Sequence, residues 1–249
     1  MMNESVALTS SPARSFLPTE PRAPSVVEPT ATKRKEGVLV CLSGEIGEKG
    51  PISLAAVKRR LLLQPDTPTT IVINSRGGNT NEAFKIYDHL RALPTPMATV
   101  ARQNCSSAAL IIFMAADFRL AVPGTEFLLH ESHMAADDLP RRLNARVLQQ
   151  YADNMKSVDR QVLDLVEART GFNRCKFEEE MNDESPMLES FAIESGLVHE
   201  WPGLNRCDPT WSNHVREIQS AKMILPRWLT TPNYLAACRA SAHFPPVVD

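Results

Sequence analysis

Ser107 and His130 stand 23 residues apart. Ser107 opens an apolar run from Ala108 to Ala116, and His130 follows the strand-like stretch Glu126-Phe127-Leu128-Leu129. Upstream, Ile73-Asn74-Ser75-Arg76-Gly77-Gly78 places a glycine pair where a strand would end. A hydroxyl nucleophile, an imidazole base and backbone N–H groups able to cradle an oxyanion are the parts that acyl transfer needs. The chain therefore reads as a serine hydrolase. A serine in the first turn of a buried helix lies near unpaired backbone amides, which favour negative charge on a bound carbonyl oxygen. Gly77-Gly78 lets a substrate backbone approach closely and offers a further N–H donor. Each piece alone is ordinary: a helix-start serine is usually a cap, a glycine pair a turn, a strand-end histidine a surface residue. Two rival nucleophiles sit beside Ser107. Cys105 precedes the helix start by two residues, and Ser106 would take the role if the lead-in slipped by one. The segment His130-Glu131-Ser132-His133 puts two histidines at i, i+3 but supplies no third ligand at a recognisable spacing, so neither a metal nor any other cofactor is expected.

These groups must be held by elements that the hydrophobic pattern marks out. Val38-Leu39-Val40-Cys41-Leu42 and Thr70-Ile71-Val72-Ile73 are short, apolar and β-branched, as buried parallel strands are. After Gly78, Asn79 can cap a helix with Glu82 three residues on, and Ala83, Ile86, Tyr87 and Leu90 fall on one face. Ala98-Thr99-Val100-Ala101 forms the next strand and leads through Arg102 to Ser106 into the helix opened by Ser107, which is apolar all round and hence buried. Phe118 to Val122 and Glu126 to Leu129 are two further strands around a Pro123-Gly124 turn. A long amphipathic helix is predicted from about Leu139 to Thr170, with Pro140 in its first turn, Leu143, Val147, Tyr151, Met155, Val158, Val162 and Val166 on one stripe, and Gly171 ending it. The alternation of strands and helices is that of an α/β fold.

Length and composition bound the rest. The 249 residues, 43% hydrophobic, suffice for one main domain with tails. A formal net charge of −2 with interspersed signs gives no footprint for nucleic acid. The five cysteines, Cys41, Cys105, Cys175, Cys207 and Cys238, are widely spaced and form no Cys-x-x-Cys pair, as in a reducing compartment. No run approaches the roughly 18 apolar residues of a membrane span, and a cytoplasmic location without a membrane partner is expected. Residues 1–36, rich in proline, serine and threonine and ending in Lys33-Arg34-Lys35, are expected to form a disordered arm. Residues 37–200 hold the βα pattern. Residues 201–249 carry Trp211, Trp228, Tyr234 and Phe244, and are expected to pack on the body or on a neighbouring subunit.

From about Val38 to Glu200 the chain resembles the Clp peptidase family and its relatives among phage capsid-maturation proteases. Asn74-Ser75-Arg76-Gly77-Gly78 matches the family's Asn-Ser-Pro-Gly-Gly loop, followed by Ile86-Tyr87-Asp88. Ser107-Ala108-Ala109, Met114-Ala115-Ala116-Asp117, Pro123-Gly124 and His130 match the Ser-to-His segment of the phage-like branch. Thr170-Gly171, Met181, Glu184 and Glu194-Ser195-Gly196-Leu197-Val198 match its closing helices.

The resemblance implies a crotonase-like fold of repeated ββα units with a long handle helix, and a serine endopeptidase working through an acyl-enzyme. It puts the nucleophile at Ser107, the base at His130, the triad acid at Glu184 with Asp183 as the neighbouring alternative, and the oxyanion amides at Gly78 and Ala108. Arg76 in place of the loop proline, Gln103-Asn104-Cys105-Ser106 in place of the usual Gly-x-Ala-Ala lead-in, and Ala109 where many members have Gly are departures that affect rate and pocket shape. It further implies a homo-oligomeric ring acting on peptide or unfolded protein. A separate AAA+ unfoldase would feed it, since no Gly-x-x-x-x-Gly-Lys-Ser/Thr loop occurs in this chain. The competing readings are an inactive subunit of a mixed ring, a phage or prophage capsid-maturation protease, and a coenzyme A-dependent hydratase or isomerase of the same fold. The last has no need of a Ser-His pair.

Overall fold

Short β-branched runs set side by side make a parallel sheet. In the computed structural model, which describes residues 38–62, 67–95, 97–122, 124–134, 139–140 and 142–199, the elements follow one another as β1 (Val38–Ser43), α1 (Leu54–Leu62), β2 (Thr69–Ser75), α2 (Thr80–Arg91), β3 (Met97–Ser106), α3 (Ala108–Phe113), β4 (Phe118–Ala121), β5 (Glu126–Leu128), α4 (Ala145–Thr170), α5 (Arg174–Asp183) and α6 (Glu189–Glu194). Strand order is β1-β2-β3-β4, all neighbours parallel, with β5 also parallel to β3. This is the α/β, crotonase-like arrangement that the sequence leads one to expect. The arm at 1–36 and the extension at 201–249 lie outside the described residues.

β3 is the spine of the site. Its first half, Ala98 to Ala101, pairs with Phe118 to Ala121 of β4, and its second half, Asn104 to Ser106, pairs with Glu126 to Leu128 of β5. The lead-in from Arg102 to Ser106 is thus strand rather than connecting loop. Its pairing with β5, and of Cys105 with Ser75 of β2, overrides its polar composition.

The apolar run after Ser107 is helical only to Phe113, and every residue of α3 is buried. The turn beyond it, Met114 to Ala116, is stopped by cations: Arg169 Nε donates to Met114 O at 2.9 Å, and Arg169 Nη2 and Arg119 Nη1 donate to Ala116 O at 2.8 and 3.1 Å. Carbonyls left over at a helix end need such donors. The long helix begins at Ala145, later than its apolar stripe suggests, because the Asn144 side chain accepts from Val147 N–H and caps it there. Gly171 ends α4 in the left-handed conformation, as expected. Burial along α4 is confined to Gln161–Val166, whereas Leu148 near its start is half exposed.

Asn79 caps α2 by accepting from Glu82 N–H at 2.9 Å. Glu82 does not reach back to close a capping box. Its buried carboxylate accepts from Leu54 N–H at 2.8 Å and so caps α1. No helix among the described residues is long and apolar enough to cross a membrane.

Candidate active site

Ser107 sits at the junction of β3 and α3 with φ 56° and ψ −130°, a conformation that a non-glycine residue rarely adopts. Its own N–H donates to Leu128 O at 2.7 Å, tying the junction to the end of β5, two residues before His130. Besides glycines, only Gln103, Ser107 and Glu184 have positive φ among the described residues, and Ser107 and Glu184 are two of the three residues expected to form a triad. Backbone strain of this kind persists only where the surroundings over-determine it, and it collects at functional sites.

The glycine pair lies across from Ser107. A Cβ on Gly77 would meet Ser107 Cβ at 2.7 Å and Ala108 N at 3.1 Å. Gly78, at φ 136°, leaves no room for a Cβ because Ile46 O would stand 2.3 Å from it. The bridge to Ile46 is made by Gly77 O, which accepts from Ile46 N–H at 2.9 Å, and by Asn79 N–H, which donates to Ile46 O at 2.8 Å. Gly78 N–H takes no part in it. The Asn74 side chain fastens this loop to the lead-in: Nδ2 donates to Gln103 Oε1 at 2.5 Å, and Oδ1 accepts from Asn104 N–H at 3.3 Å. An open groove of about 570 Å³ runs beside the loop, lined by Ser43, Gly44, Glu45, Asn74, Ser75, Arg76, Gly77, Gly78 and Asn104. The arginine that departs from the family loop thus faces a groove beside the glycine pair.

His130 is half-buried, and its partners fix its tautomer. Nδ1 lies 2.6 Å from Glu131 O and 2.9 Å from His133 Nδ1. A carbonyl only accepts, so His130 carries its hydrogen on Nδ1 and keeps the lone pair of Nε2 for a proton. His133 Nδ1 then accepts, which puts its hydrogen on Nε2, 3.6 Å from Glu184 Oε1. The Nδ1–H expected to reach Glu184 directly is therefore met by Glu131 O and His133, and His133 stands between base and acid. Glu184, at φ 53° just past α5, is brought to the loop by the segment after it, whose Met187 N–H donates to Phe127 O of β5 at 2.8 Å. Asp183 is exposed at the last position of α5. Among the described residues no hydrogen bond joins Ser107 Oγ to His130.

The rival nucleophiles fare differently. Cys105 is fully buried in β3, and burial pushes its thiol pKa far above the ordinary range, so no thiolate is available. Ser106 is 4% exposed, with an Oγ that has no hydrogen-bond partner. It faces the interior.

His133 was visible in the sequence only as half of an i, i+3 histidine pair. Its place between His130 and Glu184 depends on the chain returning 51 residues later, which no local spacing encodes. Asp159 of α4 is a second residue without a sequence signal. Its Oδ1 accepts from Ser132 N–H at 2.8 Å and from Ser132 Oγ at 2.6 Å, pinning the loop between the two histidines.

The family model described as Clp protease matches residues 34–201. The ATP-dependent Clp protease proteolytic subunit 2 of Treponema denticola is 24% identical over 164 residues, covering 64% of this chain and 78% of that protein. Proteolytic subunit 1 of Chlamydia abortus is 24% identical over 139 residues, covering 55% and 71%. Among solved structures, a ClpP1 mutant from Listeria monocytogenes aligns with a TM-score of 0.55 at 23% identity, over 66% of this chain and 90% of that one. That likeness establishes the fold.

Proposed function

This chain belongs to the Clp protease family, and from that premise we propose that it is a serine endopeptidase whose body spans residues 37–200. Ser107 Oγ attacks the scissile carbonyl, and His130 Nε2, which holds the free lone pair, takes the serine proton and returns it to the leaving amine. Gly78 and Ala108 N–H groups receive the oxyanion. Glu184 stabilises the imidazolium, and water then resolves the acyl-enzyme. The observation that carries this reading is the strained backbone of Ser107, which holds a serine at the β3–α3 junction against Gly77 and one bond from β5.

The substrate class is peptide or unfolded protein, delivered by a separate AAA+ unfoldase to a homo-oligomeric ring in the cytoplasm. Support for assembly comes from the first half of α4, where Leu148 is 49% exposed and Val147, Tyr151 and Met155 are only partly covered. An apolar stripe left partly exposed in this way gains from burial against another copy.

The absence of a hydrogen bond between Ser107 Oγ and His130 favours a second reading, an inactive subunit that completes a mixed ring, although catalytic bonds often tighten only once substrate is bound. Hydrolysis of a fluorogenic peptide by the purified protein, lost in Ser107→Ala at unchanged oligomer size, supports the endopeptidase. No hydrolysis by wild type at any enzyme concentration supports the inactive subunit.

A further inference from the structure

His130, His133 and Glu184 each offer one ligand atom, and these atoms all lie within 4.8 Å of one another. We propose that they form a binding site for a divalent transition metal of the zinc type, and that the bound metal switches off His130 as a base. The inhibitory part rests on the endopeptidase reading; the binding part does not.

The spacing suits a single ion. Donors at the roughly 2.0–2.1 Å bond lengths of a tetrahedral zinc stand about 3.3–3.4 Å apart. The two Nδ1 atoms stand 2.9 Å apart, and one ligand atom from each of the three residues lies within 4.8 Å of the others, so a small rotation of the exposed His133 and Glu184 side chains brings the set to that spacing. Two imidazoles and one carboxylate select zinc, cobalt, nickel or copper over magnesium and calcium, which prefer oxygen donors. With His133 63% and Glu184 48% exposed, a solvent ion can enter and a water can complete the shell. The ligands are held in place from outside the cluster: Asp159 grips the intervening Ser132, and the left-handed backbone of Glu184 sets where its side chain begins.

The consequence for His130 follows from its tautomer. A metal bonds to a lone pair, and the His130 nitrogen facing His133 is Nδ1, which now carries the hydrogen. Coordination there forms an N–metal bond and moves that hydrogen to Nε2 through solvent, with no net proton gained or lost. Nε2 is the atom that must accept the serine proton. A metal-bound His130 is thus protonated on its catalytic face and cannot act as a base.

The test uses the full chain carrying Ser107→Ala and titrates it with cobalt(II), following the visible absorption of a tetrahedral complex, then displaces cobalt with zinc. One equivalent should bind, and His133→Gln or Glu184→Gln should weaken binding at least about tenfold, no less than loss of an outer partner costs. His133 is exposed, so His133→Gln should keep the wild-type far-UV circular dichroism. In the Ser107-containing protein, micromolar zinc should suppress hydrolysis, EDTA should restore it, and the ratio of rates with and without zinc should return toward one in His133→Gln. No saturable binding, or binding indifferent to both substitutions, overturns the site. Binding that leaves hydrolysis unchanged or raises it overturns the inhibition. Cobalt binding that needs these residues in a protein with no metal-free hydrolysis supports the site and contradicts the endopeptidase reading instead.

Discussion

Gly77 and Ser107 are packed so closely that a Cβ on the glycine would stand 2.7 Å from the serine Cβ, nearer than side chains approach one another. The first glycine of the pair therefore does more than turn the chain after β2: its missing side chain lets the β3–α3 junction come up against the loop that carries Gly78 N–H. Gly77→Ala must displace that junction and also strain a backbone at φ 107°. Turnover should fall by about 10² or more, as a 1 Å misplacement of reacting groups can cause. A steady-state assay on protein that retains its wild-type circular dichroism checks this, and unchanged turnover would detach the glycine pair from the chemistry.

The acid is tested by comparing two neighbours. Glu184 faces the His130–His133 pair and Asp183 does not. Glu184→Gln should reduce turnover by on the order of 10² to 10⁴, with Asp183→Asn close to wild type, both assayed in EDTA. The opposite ranking moves the acid to Asp183. Near-wild-type rates in both mean that the imidazolium is stabilised by another group.

Cys105 gives a prediction with a pH direction. Its thiol pKa is raised by burial, and alkylation needs the thiolate, so Cys105 should stay unmodified by iodoacetamide in native protein from pH 7 to 9 while exposed Cys41 and Cys175 react. Peptide mapping by mass spectrometry reads the sites. Modification of Cys105 in folded protein at pH 8 would contradict its burial in β3.

Arg119 fastens the end of the described chain to β4. Its guanidinium donates to Ala116 O, Gly196 O, Leu197 O and Arg169 O at 2.8 to 3.3 Å. Burial pushes its pKa down to about 9, which leaves it charged at neutral pH. Since the folded value lies below the ordinary guanidinium value, the unfolded chain binds more protons at this group than the folded one only above about pH 9. Stability should show no dependence on this group between pH 6 and 8. Arg119→Leu strands several buried carbonyls at about 1 kcal/mol or more each, so a loss of at least about 3 kcal/mol and a Tm lower by roughly 6–12 °C are expected. A Tm within 2 °C of wild type would contradict this.

Much of this arrangement was legible in the residues. Parallel strands announced themselves through β-branched runs, and Asn79 and Gly171 marked helix ends through cap chemistry that acts over three or four residues. What was not legible depends on distant partners. Arg102 to Ser106 has the composition of a loop and becomes strand because β5 lies beside it. Glu82 looks like half of a capping box yet serves α1, 28 residues away. At the site, the order of Ser107 and His130 along the chain suggested a nucleophile and a base. The interposition of His133 is a property of the fold, since Glu184 arrives only when Met187 bonds to β5.

The central claim, that Ser107 is an activated nucleophile, is tested most directly by reacting the purified protein with a fluorophosphonate probe in EDTA and locating the adduct by mass spectrometry. The account predicts a single active-site adduct on Ser107, abolished by Ser107→Ala and retained in Ser106→Ala, whose lost hydroxyl is buried and unpartnered. An adduct on Ser106, or none on wild-type protein that is folded and assembled, would contradict it.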